Sequence, residues 1–214
     1  METRILRGGR SEMSELVFLL EEPSAREMLT GLLPKILPAG VIPRFIVFDG
    51  KQDLEKQMVQ RMRGYLFPGA QFVILRDQDA GDCKAVKAGL RSKCDEAGKP
   101  GALIRVACHE LESWYLGDLA AVEKGLMLRG LARRQNEKMF RTPDSYPAPS
   151  QIIKQAVPSY QKVSGSRAIG PHLDPGNTRS NSFACFVSGV KQLISAIDLI
   201  ASDRSIAKKI NKSK

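Results

Sequence analysis

The chain alternates short apolar runs with stretches of helical periodicity, and this alternation constrains the fold more than any other feature of the sequence. Four apolar runs of strand length occupy residues 16–20, 45–48, 72–75 and 103–107. Each is followed by a polar or helical stretch in which apolar residues recur three or four positions apart. Strands separated in this way by helices indicate a parallel sheet with right-handed crossovers and helices on both faces. We therefore predict an α/β fold with the order βαβαβαβα.

Several local signals refine this prediction. Ser24 and Glu27 have the spacing of a capping box for the first helix, and Asp82 is suited to cap the third. Cys83 and Cys94 fall on the apolar stripe of that third helix, where a buried thiol acts as a small hydrophobic group. Because the sequence has no C-x-x-C pair and only two histidines, we do not expect a structural zinc site.

Charge is unevenly distributed along the 214 residues. Residues 1–125 contain 18 basic and 18 acidic residues, whereas residues 126–214 contain 15 basic and 5 acidic, so the second segment carries the whole net charge of +10. We predict an α/β domain over residues 1–125 and a basic, loop-rich and helical extension over residues 126–214 that packs on it and ends in one long amphipathic helix. This surplus of positive charge is typical of a surface that binds a polyanion such as nucleic acid. Alternatively, it forms a solvated basic face with a Lys-rich tail.

Hydropathy argues against a membrane protein. The apolar runs are far shorter than the ~20 residues that cross a bilayer. The acidic residues Glu2, Glu12 and Glu15 are not those of a secretory signal peptide. We expect a cytoplasmic protein without a membrane-bound segment.

Acidic residues follow the predicted strands. Sheets of this kind place function at the carboxyl ends of their strands. The residues at those positions are Glu21, Glu22, Asp49, Asp77, Asp79, Asp82, His109, Glu110 and Glu112. Carboxylates that meet there raise one another's pKa unless a cation neutralises them, and oxygen ligands suit Mg²⁺. Asp77 and Asp79, with Glu21 from the neighbouring strand, are therefore candidate ligands, although an Asp-x-Asp step also occurs by chance in surface loops.

Two segments resemble motifs of the Toprim domain of topoisomerases and primases. Residues 19–24 (LLEEPS) are similar to its Glu-containing motif, with Glu22 in the position of the usual Gly, and residues 74–79 (ILRDQD) are similar to its Asp-x-Asp motif. With residues 110–114 (ELESW) and 161–167 (QKVSGSR), nearly the whole chain resembles a Toprim-related bacterial family of unknown function. Members of that family are often encoded beside an ATPase of the AAA or ABC type.

This resemblance implies a Rossmann-like parallel sheet flanked by helices and a metal-dependent site for phosphodiester chemistry. Glu21, or its neighbour Glu22, is then the catalytic acid or base, while Asp77 and Asp79 are catalytic and hold Mg²⁺ or Mn²⁺ together with Glu21. Glu112 resembles a position in defence-associated Toprim proteins and is a candidate second-metal or auxiliary ligand, or else a helix-start charge. A topoisomerase or primase is not expected, because 214 residues leave little space for the additional domains.

The basic extension supplies candidate nucleic-acid contacts, namely Lys162, Arg167 and Arg179. The run from Ser164 to Arg167 offers amides, hydroxyls and a guanidinium as a phosphate cradle, although Gly and Ser equally mark a plain turn. His109 is a metal ligand or proton shuttle, or else structural. Trp114 is expected in the core.

Together these features predict a Mg²⁺-dependent nuclease that hydrolyses DNA or RNA. The resemblance implies an effector of a bacterial anti-phage defence system that works with an ATPase partner, and it allows a homo-oligomer. The alternative is a catalytically silent Toprim-like module that binds nucleic acid or the ATPase. A third hypothesis, a receiver-like phosphoacceptor domain, is disfavoured because the chain does not clearly supply the Lys expected after a later strand.

Overall fold

The computed structural model describes residues 13–211 and the side chains of residues 13–197. Residues 13–211 contain four strands: β1 (Ser14–Leu20), β2 (Val41–Val47), β3 (Gln71–Asp77) and β4 (Leu103–Ala107). The same residues contain nine α-helices: α1 (Pro23–Leu32), α2 (Gly50–Arg63), α3 (Cys83–Glu96), α4 (Glu112–Leu116), α5 (Leu119–Gly125), α6 (Lys138–Arg141), α7 (Pro149–Ala156), α8 (Lys162–Ile169) and α9 (Asn181–Asn211). Short 3-10 helices span Leu33–Lys35, Ala132–Asn136, Pro143–Ser145 and Gly170–His172.

The strands form one parallel sheet in the order β2-β1-β3-β4. Leu20 at the end of β1 pairs with Val47 of β2 on one side and with Leu75 of β3 on the other. Asp77 at the end of β3 pairs with Ala107 of β4. This register brings the carboxyl ends of all four strands to one edge, and the predicted order of strands and helices is confirmed.

Helices cover both faces of the sheet, as the unbroken apolar strands require. On the α1 face, helices α1, α4, α5, α8 and α9 pack on strand residues Leu16, Phe18, Leu20, Val73 and Leu75. On the α2 face, helices α2 and α3 pack on the intervening residues Val17, Leu19, Phe72 and Ile74. The alternation follows from the two-residue period of a strand.

The basic segment contributes to the core of the α1 face. Its buried residues include Tyr160, Ile169, Leu173, Phe183, Phe186, Val187, Val190 and Ile194. Close approach of the 3-10 helix after α8 to α1 depends on its first residue, Gly170, where an added Cβ would lie 2.5 Å from the Met28 carbonyl oxygen. The predicted long helix is confirmed as α9, and Ser180 caps it by accepting a 3.1 Å hydrogen bond from the Phe183 amide. The proposed boundary at residue 125 stays a prediction.

The capping-box prediction is wrong. Helix α1 begins at Pro23, because the fixed φ of proline suits the first helical position. Ser24 therefore lies inside the first turn, and its hydroxyl donates a 2.5 Å hydrogen bond to Glu22 instead of capping the helix. By contrast, the predicted cap at Asp82 is confirmed, since its carboxylate accepts a 2.8 Å hydrogen bond from the Ala85 amide.

The loop-type phosphate cradle expected between Ser164 and Arg167 is also wrong, and so is its alternative, a plain turn. These residues lie within α8, where the Gly165 amide donates a 2.7 Å hydrogen bond to the Gln161 carbonyl and the side chain of Ser166 is buried. Gly165 packs against the Tyr160 ring, and Ser166 accepts a 2.7 Å hydrogen bond from the Tyr115 hydroxyl. Among the other core predictions, Trp114 and Cys94 are buried as expected, whereas Cys83 is only half-buried.

No helix within the described part of the chain combines the length and apolar character needed to cross a membrane.

Candidate active site

Four acidic side chains meet where β1, β3 and β4 end. Glu21 and Glu22 follow β1, Asp77 is the last residue of β3, and Glu112 begins α4 just after β4. Glu21 is tied to Asp77 directly, because its carboxylate accepts a 3.1 Å hydrogen bond from the Asp77 amide. Register alone places Glu21 and Asp77 together, since β1 and β3 are adjacent parallel strands.

Glu112 is the most constrained of these groups. It is 1% exposed, and one carboxylate oxygen accepts a 3.0 Å hydrogen bond from the Tyr160 hydroxyl. The other oxygen, Oε2, has no hydrogen-bond partner among the described residues. Burial is the main cause that raises the pKa of Glu112. A buried carboxylate oxygen without a partner is costly, and it marks a position where a ligand would be stabilised.

Asp77 lies within the same electrostatic cluster. Its burial raises the pKa of its carboxyl group well above the ordinary value, and the neighbouring charges of Glu112, Glu22 and Glu21 raise it further. Like charges brought together in this way disfavour ionisation unless a cation joins them. The charged form of Asp77 is therefore disfavoured in the folded protein, and the nearby Lys162 ammonium offsets only part of this cost.

Lys162 brings a positive charge into this cluster from α8. Its ammonium lies 3.2 Å and 3.4 Å from the two carboxylate oxygens of Glu22. Burial lowers the pKa of Lys162, but the carboxylates of Glu112, Glu22 and Asp77 outweigh this effect and the net shift is upward. Lys162 thus remains charged at the carboxyl edge of the sheet.

Glu21 has a different environment on the other side of Asp77. Burial is the largest cause that raises its pKa, and the nearby charge of Asp79 adds to the effect. The Arg76 guanidinium lies 3.9 Å from Glu21 and also pairs with Glu55 on α2. Glu21 is therefore partly neutralised while it stays next to Asp77.

Asp79 makes its contacts with residues outside the cluster of Glu21, Glu22, Asp77 and Glu112. Its backbone is left-handed, with φ of 54°, a conformation that Asp tolerates better than most residues. The Asp79 amide donates to the His109 carbonyl (2.9 Å), and the Asp79 carbonyl contacts His109 Nδ1 (2.7 Å). Its carboxylate binds the Lys51 ammonium at 2.7 Å. His109 thus positions the Asp79 backbone, and Lys51 engages the side chain.

The remaining sequence candidates lie around this centre. Arg167 pairs with Glu27 of α1 at 2.6 Å, and Arg179 is exposed in the loop before α9. Glu110 accepts a 2.7 Å hydrogen bond from the Ser150 amide at the start of α7, so it is occupied by that helix. The structure therefore brings Glu21, Asp77, Glu112 and Lys162 together, and leaves Arg167 and Arg179 outside the cluster.

The donor set fits a hard divalent cation in its chemistry. All donors are carboxylate oxygens, which Mg²⁺ prefers, and Oε2 of Glu112 is buried and unpaired. Among the described residues, however, no group of three or more His, Cys, Asp or Glu side chains is arranged to hold a metal ion. Lys162 and Lys51 occupy the carboxylates of Glu22 and Asp79 instead. The ligands are adjacent but not assembled around one point.

Three residues that contact the carboxylates were not among the site residues predicted from the sequence. Lys51 follows the end of β2. Because sheets of this kind place function at the carboxyl ends of their strands, a search of those positions for basic as well as acidic residues would have identified it. Arg76 lies within the segment 74–79 that resembles the Asp-x-Asp motif, but an arginine there would ordinarily be expected at the surface. Tyr160 carries no signal of its own, because its contact with Glu112 joins residues 48 positions apart.

A family model described as "Domain of unknown function (DUF4276)" matches residues 20–191. The chain belongs to the DUF4276 family. The segment that defines this family includes Glu21, Asp77, Glu112, Tyr160 and Lys162, so the whole carboxylate cluster lies inside it. No curated protein matches the chain.

The fold of this DUF4276 member is similar to that of the C-terminal region of the Burkholderia pseudomallei OLD protein. The TM-score is 0.50 at 13% sequence identity, over 84% of this chain and 98% of that chain. At this identity the similarity concerns the fold alone. The predicted fold class is confirmed as a Toprim-like parallel sheet flanked by helices.

Proposed function

We propose that the chain is a nuclease that requires Mg²⁺ or Mn²⁺ and hydrolyses phosphodiester bonds in DNA or RNA. The observation that carries this proposal is the buried Glu112 carboxylate, with one oxygen unpaired, beside Asp77. Each carboxylate raises the cost of ionising the other, and a divalent cation would remove that cost. The Toprim-like fold supports phosphodiester chemistry at this edge of the sheet.

The residues divide into ligands and supports. Asp77 and Glu112 would hold the ion, with Glu21 and Asp79 as further ligands, and the ion would supply Lewis acidity to a phosphodiester. Tyr160 fixes the orientation of Glu112 through its hydroxyl. Positioning of this kind matters because small displacements of a ligand cost large factors in rate.

Glu21 and Lys162 have complementary tasks in the proposed reaction. Glu21 has a raised pKa and is oriented by the Asp77 amide, which suits a carboxyl group that exchanges a proton with the attacking or leaving oxygen. Glu22 is the alternative acid, but it is already bound to Lys162 and Ser24. Lys162 would bind the non-bridging oxygens of the phosphate.

Hydrolysis is favoured over transfer to a tyrosine. Tyr160 donates a hydrogen bond to Glu112, Tyr115 packs beside Tyr160, and both tyrosines are fully buried in the core. Burial is the main cause that raises the pKa of each phenol, so both stay protonated and act as hydrogen-bond donors. Water is then the nucleophile that remains.

Cleavage of DNA and RNA by the full chain in Mg²⁺ or Mn²⁺ tests this proposal. We expect Asp77→Asn and Glu112→Gln to slow cleavage at least about 100-fold, as expected for loss of a group that stabilises the transition state. Asp95→Asn is the control, because it removes an exposed carboxylate at the end of α3, away from the cluster. Cleavage in EDTA, or full activity in Asp77→Asn, would overturn the proposal.

A catalytically silent module is the second candidate. It is favoured by the lysines that occupy Glu22 and Asp79, and by the absence of a pre-assembled group of metal ligands in the described residues. Such a module would bind nucleic acid or a partner in a salt-sensitive way and would keep that binding in Asp77→Asn. No substrate would be cut under any metal condition.

We also propose that the nuclease is the effector of a bacterial anti-phage defence system and works with an AAA or ABC type ATPase. The family resemblance and the basic surplus of residues 126–214 support this proposal. The proposal predicts that an ATPase of this type is encoded beside the gene, and that co-expression of the two proteins yields a complex that co-elutes in size-exclusion chromatography. Separate elution, with no change in cleavage when both proteins are mixed, would contradict the partnership.

A further inference from the structure

A lysine outside the central cluster binds the second acid of the Asp-x-Asp motif. Lys51 is the second residue of α2, and its ammonium lies 2.7 Å from Asp79 Oδ2. The side chains are 47% and 37% exposed, so both groups also reach solvent. The pair lies at the carboxyl edge of the sheet, close enough to Glu21 for Asp79 to raise the pKa of that residue.

This ion pair is a weak structural element. Exposed pairs contribute little to folding, because water and salt screen the attraction and two flexible side chains must be ordered. The backbone of Asp79, by contrast, is fixed by two hydrogen bonds to His109 in the left-handed conformation. The backbone that carries the Asp79 carboxylate is therefore fixed, while the ammonium bound to that carboxylate is held loosely.

We propose that Lys51 is the resident counter-ion of Asp79. When the divalent cation binds the Asp79 carboxylate, Lys51 leaves that carboxylate and binds a phosphate of the substrate. This inference rests on the proposed nuclease function. An ammonium and a divalent cation repel each other strongly at adjacent positions on one carboxylate. Metal binding at Asp79 therefore displaces Lys51, and the displaced ammonium remains at the edge where the substrate arrives.

The position of Lys51 complements that of Lys162. Helix α2 packs on one face of the sheet and α8 on the opposite face, so the two lysines approach the carboxylates from opposite sides. A strand of nucleic acid that crosses the edge meets one ammonium on each side of the proposed reaction centre. Lys51 then couples metal binding to substrate binding, since occupation of Asp79 by the metal frees the lysine for phosphate.

The proposal predicts effects of opposite sign on metal and substrate. Without Lys51 the metal no longer competes for Asp79, so Mn²⁺ binds more tightly, whereas the substrate loses a phosphate contact and binds more weakly. A merely structural lysine would not produce this pattern. Lys56 provides a matched control, because it is exposed on the same helix and its replacement changes the charge equally.

Mn²⁺ binding to the full chain, measured by calorimetry without substrate, tests the metal half of the proposal. We expect Lys51→Met to tighten binding two- to five-fold, which corresponds to about 0.4–1 kcal/mol at about 1.4 kcal/mol per tenfold change. Lys51→Arg and Lys56→Met should bind Mn²⁺ like the wild type. In an Asp79→Asn background, Lys51→Met should not change the Mn²⁺ affinity further. This result would show that Lys51 affects Mn²⁺ binding through Asp79.

Cleavage kinetics test the substrate half. Lys51→Met should raise KM for DNA about three- to ten-fold with kcat within two-fold, and the plot of log Kd against log salt should become shallower by about 0.9 for duplex DNA. Lys51→Gln serves as a second variant, and thermal unfolding in EDTA verifies that each variant is folded.

The outcomes separate the two proposals. Wild-type protein that binds no Mn²⁺ overturns the proposed nuclease function and this inference with it. If the wild type binds Mn²⁺ but Lys51→Met binds it equally or less tightly, the role of Lys51 is overturned and the nuclease proposal stands. An unchanged KM in Lys51→Met likewise overturns the phosphate contact.

Discussion

The Tyr160 hydroxyl donates a 3.0 Å hydrogen bond to Oε1 of Glu112, while Oε2 of the same carboxylate has no partner among the described residues. One half of the carboxylate is thus fixed by the core, and the other half is buried and free to bind. A purely structural acid would have both oxygens satisfied. This asymmetry is the strongest structural argument that the edge of the sheet binds a cation.

Replacement of Tyr160 by Phe should destabilise the fold. The variant removes the only hydrogen bond to Oε1 in the described structure and leaves a buried carboxylate without a donor, which costs about 1.5–3 kcal/mol. Urea unfolding in EDTA measures the change. Tyr146→Phe is the control, because that hydroxyl donates to the Lys138 carbonyl at the surface and its loss should cost about 0.5 kcal/mol or less. Equal losses in the two variants would contradict the account of Glu112.

Replacement of Asp77 by Asn should stabilise the metal-free protein. Burial and the neighbouring carboxylates raise the pKa of Asp77, so its ionised form is disfavoured in the folded state. Neutral Asn should therefore make the folded protein more stable than the wild type at pH 7 in EDTA, because it removes the cost of ionising a buried carboxyl group. Mn²⁺ should raise the melting temperature of the wild type but not of the variant.

The Asp77→Asn effect should also depend on pH. Because the folded-state pKa is raised, the contribution of Asp77 to stability is complete below the ordinary aspartate pKa and is lost as pH rises through the raised value. The advantage of Asn should accordingly vanish below about pH 4, where the aspartate is protonated in both states. Denaturation curves between pH 3.5 and about 8 measure it. A gain that is constant with pH would show that electrostatics is not the cause.

Replacement of Gly165 by Ala should disturb the support of Glu112. An added Cβ would lie 2.4 Å from a ring carbon of Tyr160, so the ring must move. We expect a loss of about 1–3 kcal/mol, the usual cost of overpacking, together with reduced cleavage. Gly89→Ala in α3 is the matched control, because its Cβ meets nothing within 4 Å and should stabilise the helix by about 0.5–1 kcal/mol. Tolerance of both substitutions would contradict the packing argument.

The basic surplus of the second segment predicts a difference between two exposed arginines. Arg179→Gln should weaken nucleic-acid binding and make its salt dependence shallower by about 0.9 in slope. Arg61→Gln, in the charge-balanced segment and on the α2 face, should leave binding unchanged. Fluorescence anisotropy over a salt series distinguishes them. Equal effects would show that the surplus does not define the nucleic-acid surface.

The sequence predicted those parts of the fold that depend on local patterns. The four strands, the order of the helices and the cap at Asp82 follow from periodicity and side-chain chemistry within a few residues. Adjacent parallel strands then place Glu21 beside Asp77. Local chemistry failed at Ser164, because Gly and Ser indicate a turn, whereas packing of Gly165 on Tyr160 favours a helix there.

The contacts that define the candidate site could not be predicted in the same way. Lys162 pairs with Glu22 across 140 positions, and Arg167 pairs with Glu27 across the same separation. Both pairs depend on the docking of α8 against α1, for which the local sequence carries no signal. The sequence therefore predicted that Glu21 and Asp77 lie side by side, but not which lysines and arginines contact the acidic side chains.

A crystal structure with Mn²⁺ tests the central claim most directly. Anomalous scattering locates the ion without reference to its assumed ligands. We expect a peak at the carboxyl edge, about 2.0–2.2 Å from carboxylate oxygens of Asp77 and Glu112, with Oε2 of Glu112 among them. The claim would be contradicted by Mn²⁺ bound elsewhere, or by no anomalous peak at this edge while the carboxylate of Glu112 keeps Oε2 unpaired.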